Sequence, residues 1–526
     1  MAPDDRRPAE ESGRDPEGSP LGPQASVEEA AAMAAPVAQG SGAEEAFGRA
    51  ARNTAARALG EALGKLASLV FFAALARQLG ATGVGVFVFA LAWAEISMML
   101  ASLGLDRALI RWIARDRTQF AELFVNGLGI KLALAIPIAI VSFVAINVLP
   151  YGSTTRVVVY VLTLGALLDA LTRVAVSVFT AFERGELTGI CLVAQRIAGA
   201  ALGIGALALG FHVVAVAITY TVASALTLLL AVVLLRRRLK LGAAPVDTAR
   251  WRSLAARSVP FAVQDVFTVL LFRIDAVILS LMATTAAVGR YGSAYRLFES
   301  TFFLTYALAG AFAPMYTYLE RDSDPPIQSV FERSMKLALV LLVPCAAVFG
   351  VLAPFVSRAF FGSGLENASG ALRILAPVVV LIGLVLLSTS LIVSRRSPRV
   401  MVWLSAGMTL FNIVLNVALI PALHERGSAL AMLITEAVFL VLAFRMAVRT
   451  IGGGVRWLPM TGAPLLAGLA MAACMFAFRA HPGVALGSGV VVYSVGFLAL
   501  ERLISPSDLG FVLGFLRRRL ALRNAA

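Results

Sequence analysis

Eleven charged residues lie deep inside apolar stretches of this chain: Glu95, Lys131, Asp169, Arg173, Arg196, Asp265, Arg273, Asp275, Arg296, Glu299 and Glu436. An ionised side chain in hydrocarbon is costly, so such residues are paired or face a polar cavity. Their spacing sorts them. Asp169 and Arg173 are four apart on one helical face and can pair, and Arg296 and Glu299, three apart, can do the same. Arg273 and Asp275 are two apart and point to different sides, whereas Asp265 and Arg273, eight apart, lie roughly on one face. Lys131, Arg196 and Arg273 have no obvious partner nearby in sequence. The chemistry open to these cations is anion binding, because a guanidinium offers a planar fork of donors that fits phosphate. Lys131, Arg173, Arg196, Arg273 and Arg296 are therefore candidate ligands for an anionic headgroup, such as a pyrophosphate or an acidic sugar. Glu95, Asp169, Asp265, Asp275 and Glu299 are candidate coupling or ion-pair residues. The competing structural reading is that these charges only lock helices together. Asn412 and Asn416, four apart, fit interhelical hydrogen bonding. Pro137, Pro260, Pro314, Pro344, Pro377 and Pro464 mark places where a helix can bend.

Catalytic patterns are missing. The chain has no GxSxG, no phosphate-binding GxxxxGK[ST] loop and no HExxH. Cys191, Cys345 and Cys474 stand apart within apolar runs, and His212, His424 and His481 are equally scattered, so no metal site is expected. The expectation is a non-enzyme with no catalytic residues and no cofactor, coupled to H+ or Na+.

These side chains have to be positioned by membrane-spanning helices. Of 526 residues, 59% are hydrophobic and 14% charged, against roughly 25% charged in soluble domains. The formal net charge is +14, yet residues 1–46 hold ten acids against three arginines, a net of −7 that leaves +21 on the remainder. That acidic segment, rich in Pro, Gly, Ser and Ala, reads as a disordered cytoplasmic tail and not as a signal peptide. From about residue 54 the sequence holds fourteen apolar runs long enough to span a bilayer: 55–79, 83–105, 122–147, 157–181, 188–210, 213–235, 258–283, 287–318, 331–352, 371–394, 400–421, 427–448, 459–479 and 484–503. The runs are continuous, not short and alternating, which excludes a barrel. Arg and Lys cluster in every second loop, including Arg107–Arg117, Arg236–Arg257 and Arg517–Arg523. The positive-inside rule then puts both termini in the cytoplasm of an inner-membrane protein, and it makes nucleic-acid binding the wrong reading of the basic excess.

The chain also repeats itself. Gly85-Val86-Phe87 before run 2 aligns with Gly289-Arg290-Tyr291 before run 8, and Glu183-Arg184 before run 5 aligns with Arg395-Arg396 before run 11. Six runs per unit is an even number, so the repeats are parallel, with substrate expected between the halves. The fold class is all-α polytopic, with two parallel six-helix lobes. The expected domains are a tail (1–46), an N-lobe (54–238), a basic linker acting as hinge (239–257), a C-lobe (258–450), two further helices (459–503) and a basic tail (504–526).

Four stretches carry a resemblance: LARQLGATGVGVF (75–87), SVPFAVQDVFTVLLFRIDAVILSLM (258–282), VGRYGSAYRL (288–297) and NIVLNVALIPALHERGSALAM (412–432). In that order and spacing the chain resembles the polysaccharide flippases of the MOP superfamily, over about residues 54–503. The resemblance implies fourteen helices in two lobes and alternating access. It implies cavity Arg and Lys that hold the headgroup of a polyprenyl-pyrophosphate-linked oligosaccharide. The partners implied are that lipid-linked oligosaccharide, membrane lipids, and the polymerase and glycosyltransferases of surface polysaccharide synthesis, with no nucleic acid. The alternatives are a lipid II-type flippase, a MATE-like drug/cation antiporter and a membrane polymerase or ligase. The lipid II branch is expected to carry more cations on its first helix, where only Arg77, near the outer end, is read as a cation here. A MATE-like chain usually has twelve helices, and an enzyme needs larger outer loops. The acidic tail departs from the family pattern.

Overall fold

The computed structural model describes residues 41–319, 326–395 and 399–505, with side-chain detail starting at Leu63 and omitting Arg399. The acidic residues 1–40, the terminal 506–526 and Arg396 of the second repeat pair lie outside the described residues.

The described chain is a helical bundle. Runs 1 and 2 form one continuous element, α1 (Ser41–Ser102), broken at Gly80, whose φ of 62° and ψ of −169° leave the helical region. A short amphipathic helix, α2 (Leu105–Arg115), follows. Then come α3 (Phe120–Val148), α4 (Ser153–Ala181), α5 (Gly185–Ala208), α6 (Val213–Arg238) and α7 (Thr248–Met282). Run 8 is split into α8 (Thr285–Glu299) and α9 (Phe302–Tyr318), an interruption that its unbroken apolar character did not announce. The rest are α10 (Ile327–Val351), the short α11 (Ala353–Phe361), α12 (Ser369–Arg395), α13 (Arg399–Leu423), α14 (Glu425–Ile451), α15 (Trp457–Ala477) and α16 (Pro482–Ile504). Eleven helical segments are long and apolar enough to cross a membrane. The first of these holds both run 1 and run 2, while α7, rich in charge, and the α8–α9 pair are not among the eleven. With those allowances every one of the fourteen runs is a helix. Their outward faces carry apolar side chains, such as Ile136, Val141 and Val144 on α3 and Leu465, Leu469 and Phe476 on α15. Contiguous apolar surface of this kind belongs against lipid.

Glycine contacts give the helix directions. A Cβ on Gly64 would meet the Arg196 side chain, and one on Gly203 would meet Phe71, so the first half of α1 runs parallel to α5. Gly85 packs on Thr285 and Gly289, and Gly292 packs on Val88, so the second half of α1 runs parallel to α8. Glu95 pairs with Arg273, and Gly104 packs on Ser258 and Ala262, so that same half runs antiparallel to α7. Every one of these directions agrees with the alternation read from the basic loops.

Gly85 and Gly289 form the tightest crossing. A Cβ on Gly85 would lie 1.9 Å from the Thr285 carbonyl oxygen, and one on Gly289 would lie 1.8 Å from that of Ala81. Each glycine thus makes room for the carbonyl four residues before the other, as two parallel repeats related by a twofold axis require. Small residues permit such backbone approach in helix pairs. Nearby, Arg77 donates to the carbonyl oxygens of Ala359 (2.5 Å) and Phe360 (3.1 Å), and Arg290 pairs with Glu425 at 2.7 Å. These contacts shut the end of the bundle opposite the basic loops.

The linker is pinned, not free. Asn126 on α3 is buried, and its Oδ1 accepts from the Asp247 amide and from the Trp251 indole, each at 2.9 Å. Gly129 leaves the space that the Trp251 ring fills. The linker expected at 239–257 is thus fastened to α3 in this state, and α7 leaves it already packed on Gly104. Trp251→Ala is expected to raise tryptic cleavage after Arg250 and Arg252 several-fold, with the helix content of the bundle unchanged. Digestion at the wild-type rate would mean that the linker is held by something else.

Candidate functional site

Five charged side chains from both lobes meet in one network, and a sixth lies beside it. Glu299, at the end of α8, accepts from Lys65 of α1 at 3.2 Å, from Arg273 of α7 at 3.3 Å and from Arg296 of its own helix at 2.8 Å. Arg273 also pairs with Glu95 of α1. Arg196 of α5 lies against Gly64 and close enough to Lys65 for their charges to interact. Its Nη1 is buried and has no hydrogen-bond partner among the described residues. Four cations face Glu95 and Glu299 here, with Asp275 lining the recess beside them, so positive charge is in excess.

Aromatic rings support this network. Arg296 lies 4.1 Å from the Phe72 ring centre, and Arg273 lies 5.6 Å from that of Tyr295. Such contacts hold a guanidinium in place without neutralising it. Val88, Leu91, Glu95, Arg273, Asp275, Tyr295 and Arg296 line a small recess between α1, α7 and α8.

Helical rise gives the depth. Lys65 is fourteen residues from Leu79, and Glu299 is fourteen from Thr285, or ~21 Å from the shut end at 1.5 Å per residue. In a hydrocarbon core ~30 Å thick, the cluster lies in the half nearer the basic loops. Lys65 and Glu95 keep side-chain exposures of 24% and 26%, so the protein leaves both partly uncovered.

The expected site residues separate into three groups. Arg196, Arg273, Arg296, Glu95 and Glu299 come together here, with the anticipated Arg296–Glu299 pair present. Arg273, read from sequence as lacking a local partner, bridges Glu95 and Glu299 instead.

Lys131, Asp265 and Arg173 belong to a second cluster. Lys131 is wholly buried, pairs with Asp106 of α2, and donates to the Ala170 carbonyl at 2.8 Å. This corrects the expectation of an unpaired cation, because Asp106 reaches it from a neighbouring helix. Asp265 pairs with Arg107 at 2.7 Å and not with Arg273. Arg173 is exposed and makes no ion pair with Asp169.

Asp169 and Asp275 are held by tyrosines. Asp169 accepts from Tyr220 at 2.9 Å and from Gln195 at 3.4 Å, so geometry overrules the pair that spacing allowed. Asp275 is buried and accepts from the Tyr291 hydroxyl and, at 2.8 Å, from the Ala276 amide. Glu436 on α14 is buried, with Oε2 lacking a partner among the described residues. Asn412 reaches Thr435 of α14 at 3.3 Å, the interhelical bond its position suggested.

Sequence reasoning missed Lys65, although its ammonium stands alone between Gly64 and an apolar run and carried the same signal as Lys131. It corrects the statement that the first helix offers only Arg77. Arg107 and Asp106 were missed as partners because they lie on α2, outside any spanning run.

Lys131→Ala is expected to destabilise the fold by roughly 3–5 kcal/mol, the cost of leaving one member of a buried pair uncompensated. Lys131→Met with Asp106→Leu is expected to recover most of that loss. Melting in detergent reads both. A single variant that keeps its stability and loses only transport would return Lys131 to the substrate ligands.

A family model described as "Polysaccharide biosynthesis protein" matches residues 50–317. A probable low-salt glycan biosynthesis flippase, Agl15 of Haloferax volcanii, is 27% identical over 171 residues, which are 32% of this chain and 36% of that protein's length. The structure of a lipid II flippase, MurJ, in an inward closed conformation superposes with a TM-score of 0.72 at 10% identity, covering 86% of this chain and 99% of that one. An inward-facing multidrug resistance transporter of the MATE family, in the MOP superfamily, gives 0.58 at 19% identity, covering 74% and 94%. At these identities the two structures speak for the fold alone.

Proposed function

We propose, on the premise that this chain belongs to the polysaccharide biosynthesis protein family, that it is a flippase. It carries a polyprenyl-pyrophosphate-linked oligosaccharide from the inner to the outer leaflet by alternating access between its two lobes. The single observation that carries this reading is the cluster of Lys65, Arg196, Arg273 and Arg296, which outnumber the carboxylates Glu95, Glu299 and Asp275 beside them. A pyrophosphate diester bears negative charge that offsets this excess. The free Nη1 of Arg196 supplies a donor without breaking any bond the protein already makes. Glu95 and Glu299 keep the cations in place while the site is empty. The shut far end and the partly exposed cluster fit a state that loads from the basic side. By the positive-inside rule, we read that side, with both termini, as facing the cytoplasm from the inner membrane.

The charge also weighs against a cationic drug, which the excess of positive charge would repel. It does not separate a glycan carrier from a lipid II-type substrate, since both present a pyrophosphate. With Lys65 in the site, the first helix no longer argues against the latter. No residue set for glycosyl transfer lies at the cluster, which makes the polymerase or ligase reading the weakest.

Depletion of the protein tests this function. The expected result is accumulation of polyprenyl-pyrophosphate-linked oligosaccharide on the inner leaflet together with loss of surface polysaccharide, with mass spectrometry identifying the sugar. Raised sensitivity to cationic drugs without accumulation would replace the proposal with the antiporter reading.

A further inference from the structure

The basic end of the N-lobe is a built surface. The ends of α2, α3, α4, α5 and α6 converge on one apolar cluster that includes Leu109, Ile113, Phe124, Phe179, Leu187 and Leu235. Around it Arg111, Arg115, Arg236, Arg237, Arg238 and Arg252 are exposed. The acids of this face are already engaged. Asp116 accepts from Thr118 and Gln119, and those hydrogen bonds, the Thr118 hydroxyl foremost, hold its carboxyl below the usual range. Glu122 and Asp247 take Arg250, Glu183 takes Arg117, and Glu186 takes Arg184. None of the six exposed arginines has an ion pair among those described.

One polyanion is tethered beside this face. Helix α1 leaves the bundle next to α5, where Gly64 meets Arg196, and α5 begins in the same apolar cluster. The N-terminal residues 1–46, of which 41–46 open α1, carry a net charge of −7. At ~3.3 Å per residue its length far exceeds the width of one lobe.

We propose that residues 1–46 dock on the basic end of the N-lobe as an internal counter-ion, at the end of the bundle from which the cationic site is reached. Charges of opposite sign and fixed tethering raise the local concentration of the acidic segment at that face. Salt of about 1 M shortens the screening length to ~3 Å and releases it.

Zero-length carbodiimide coupling of the full chain in phosphatidylcholine vesicles tests this independently of any transport. The chain has four lysines, and of these Lys131 and Lys336 are buried, Lys65 is half-buried, and Lys240, at the end of α6, is exposed. The expected result is coupling of the segment's carboxylates to Lys240 at low salt. It should fall at least tenfold in 1 M NaCl and in the variant Arg236→Glu, Arg237→Glu, Arg238→Glu. No coupling at low salt, or coupling indifferent to both changes, overturns the proposal. Coupling that disappears when phosphatidylglycerol is added to the vesicles also overturns it, by assigning the face to the anionic leaflet.

Discussion

Arg196→Ala is expected to lower transport of the lipid-linked substrate by about 10- to 100-fold while leaving the melting temperature almost unchanged. The two halves of this expectation come from one feature, the unpartnered Nη1. A hydrogen bond to a charged group is worth ~1.5–3 kcal/mol, and each 1.4 kcal/mol is a factor of about ten. That energy is realised only when substrate is bound, because the empty protein makes no bond there to lose. Arg273→Ala should behave differently. It leaves Glu95 without its partner and removes one of three donors to Glu299, so its loss of transport comes with a loss of stability. Reconstituted transport measured beside thermal melting separates the two variants. Arg196→Ala with normal transport, or with a melting temperature lowered as far as that of Arg273→Ala, would remove Arg196 from the binding residues.

Gly85→Ala is expected to cost transport on the order of 100-fold, by a different route. The added methyl would stand 1.9 Å from a backbone carbonyl, so no rotamer change relieves it and the two helices must separate. Overpacking costs ~1–3 kcal/mol and occasionally more. At the upper end that is enough to shift a two-state equilibrium by about a hundredfold. The state lost is the one with the far end shut. Gly289→Ala should reproduce the effect, because the contact is reciprocal. Val88→Cys, placed in the recess of a chain whose native cysteines are replaced, gives the readout with a membrane-impermeant thiol reagent. Labelling from the far side is expected to rise in both glycine variants. Unchanged labelling and transport in both would mean that this crossing does not form the seal.

How much was legible in the sequence depended on whether the signal was local. Membrane helices were legible because their apolar length is a local property, and their directions because basic residues mark alternate loops. Gly85 and Gly289 stood out as equivalent positions of a repeat, and the fold brings them into mutual contact. Ion pairs were mostly illegible. Spacing correctly joined Arg296 to Glu299 within one helix, but it joined Asp169 to Arg173 wrongly, since Tyr220 and Gln195 approach from other helices. Lys131 looked free because Asp106 sits on a short amphipathic helix that a search for spanning runs passes over. The site was thus recognisable as a set of charges, while the division into members of the inter-lobe cluster and members of separate helix-locking pairs required the packing.

The most direct test of the central claim is translocation in vesicles. Purified protein is reconstituted, and a polyprenyl-pyrophosphate-linked oligosaccharide placed in one leaflet is followed into the other by its accessibility to an impermeant glycosidase. The account expects movement that inorganic pyrophosphate or a short-chain prenyl pyrophosphate inhibits, and that Arg196→Ala slows by about 10- to 100-fold. Movement of an organic cation, with the lipid-linked glycan left where it was placed, would contradict it.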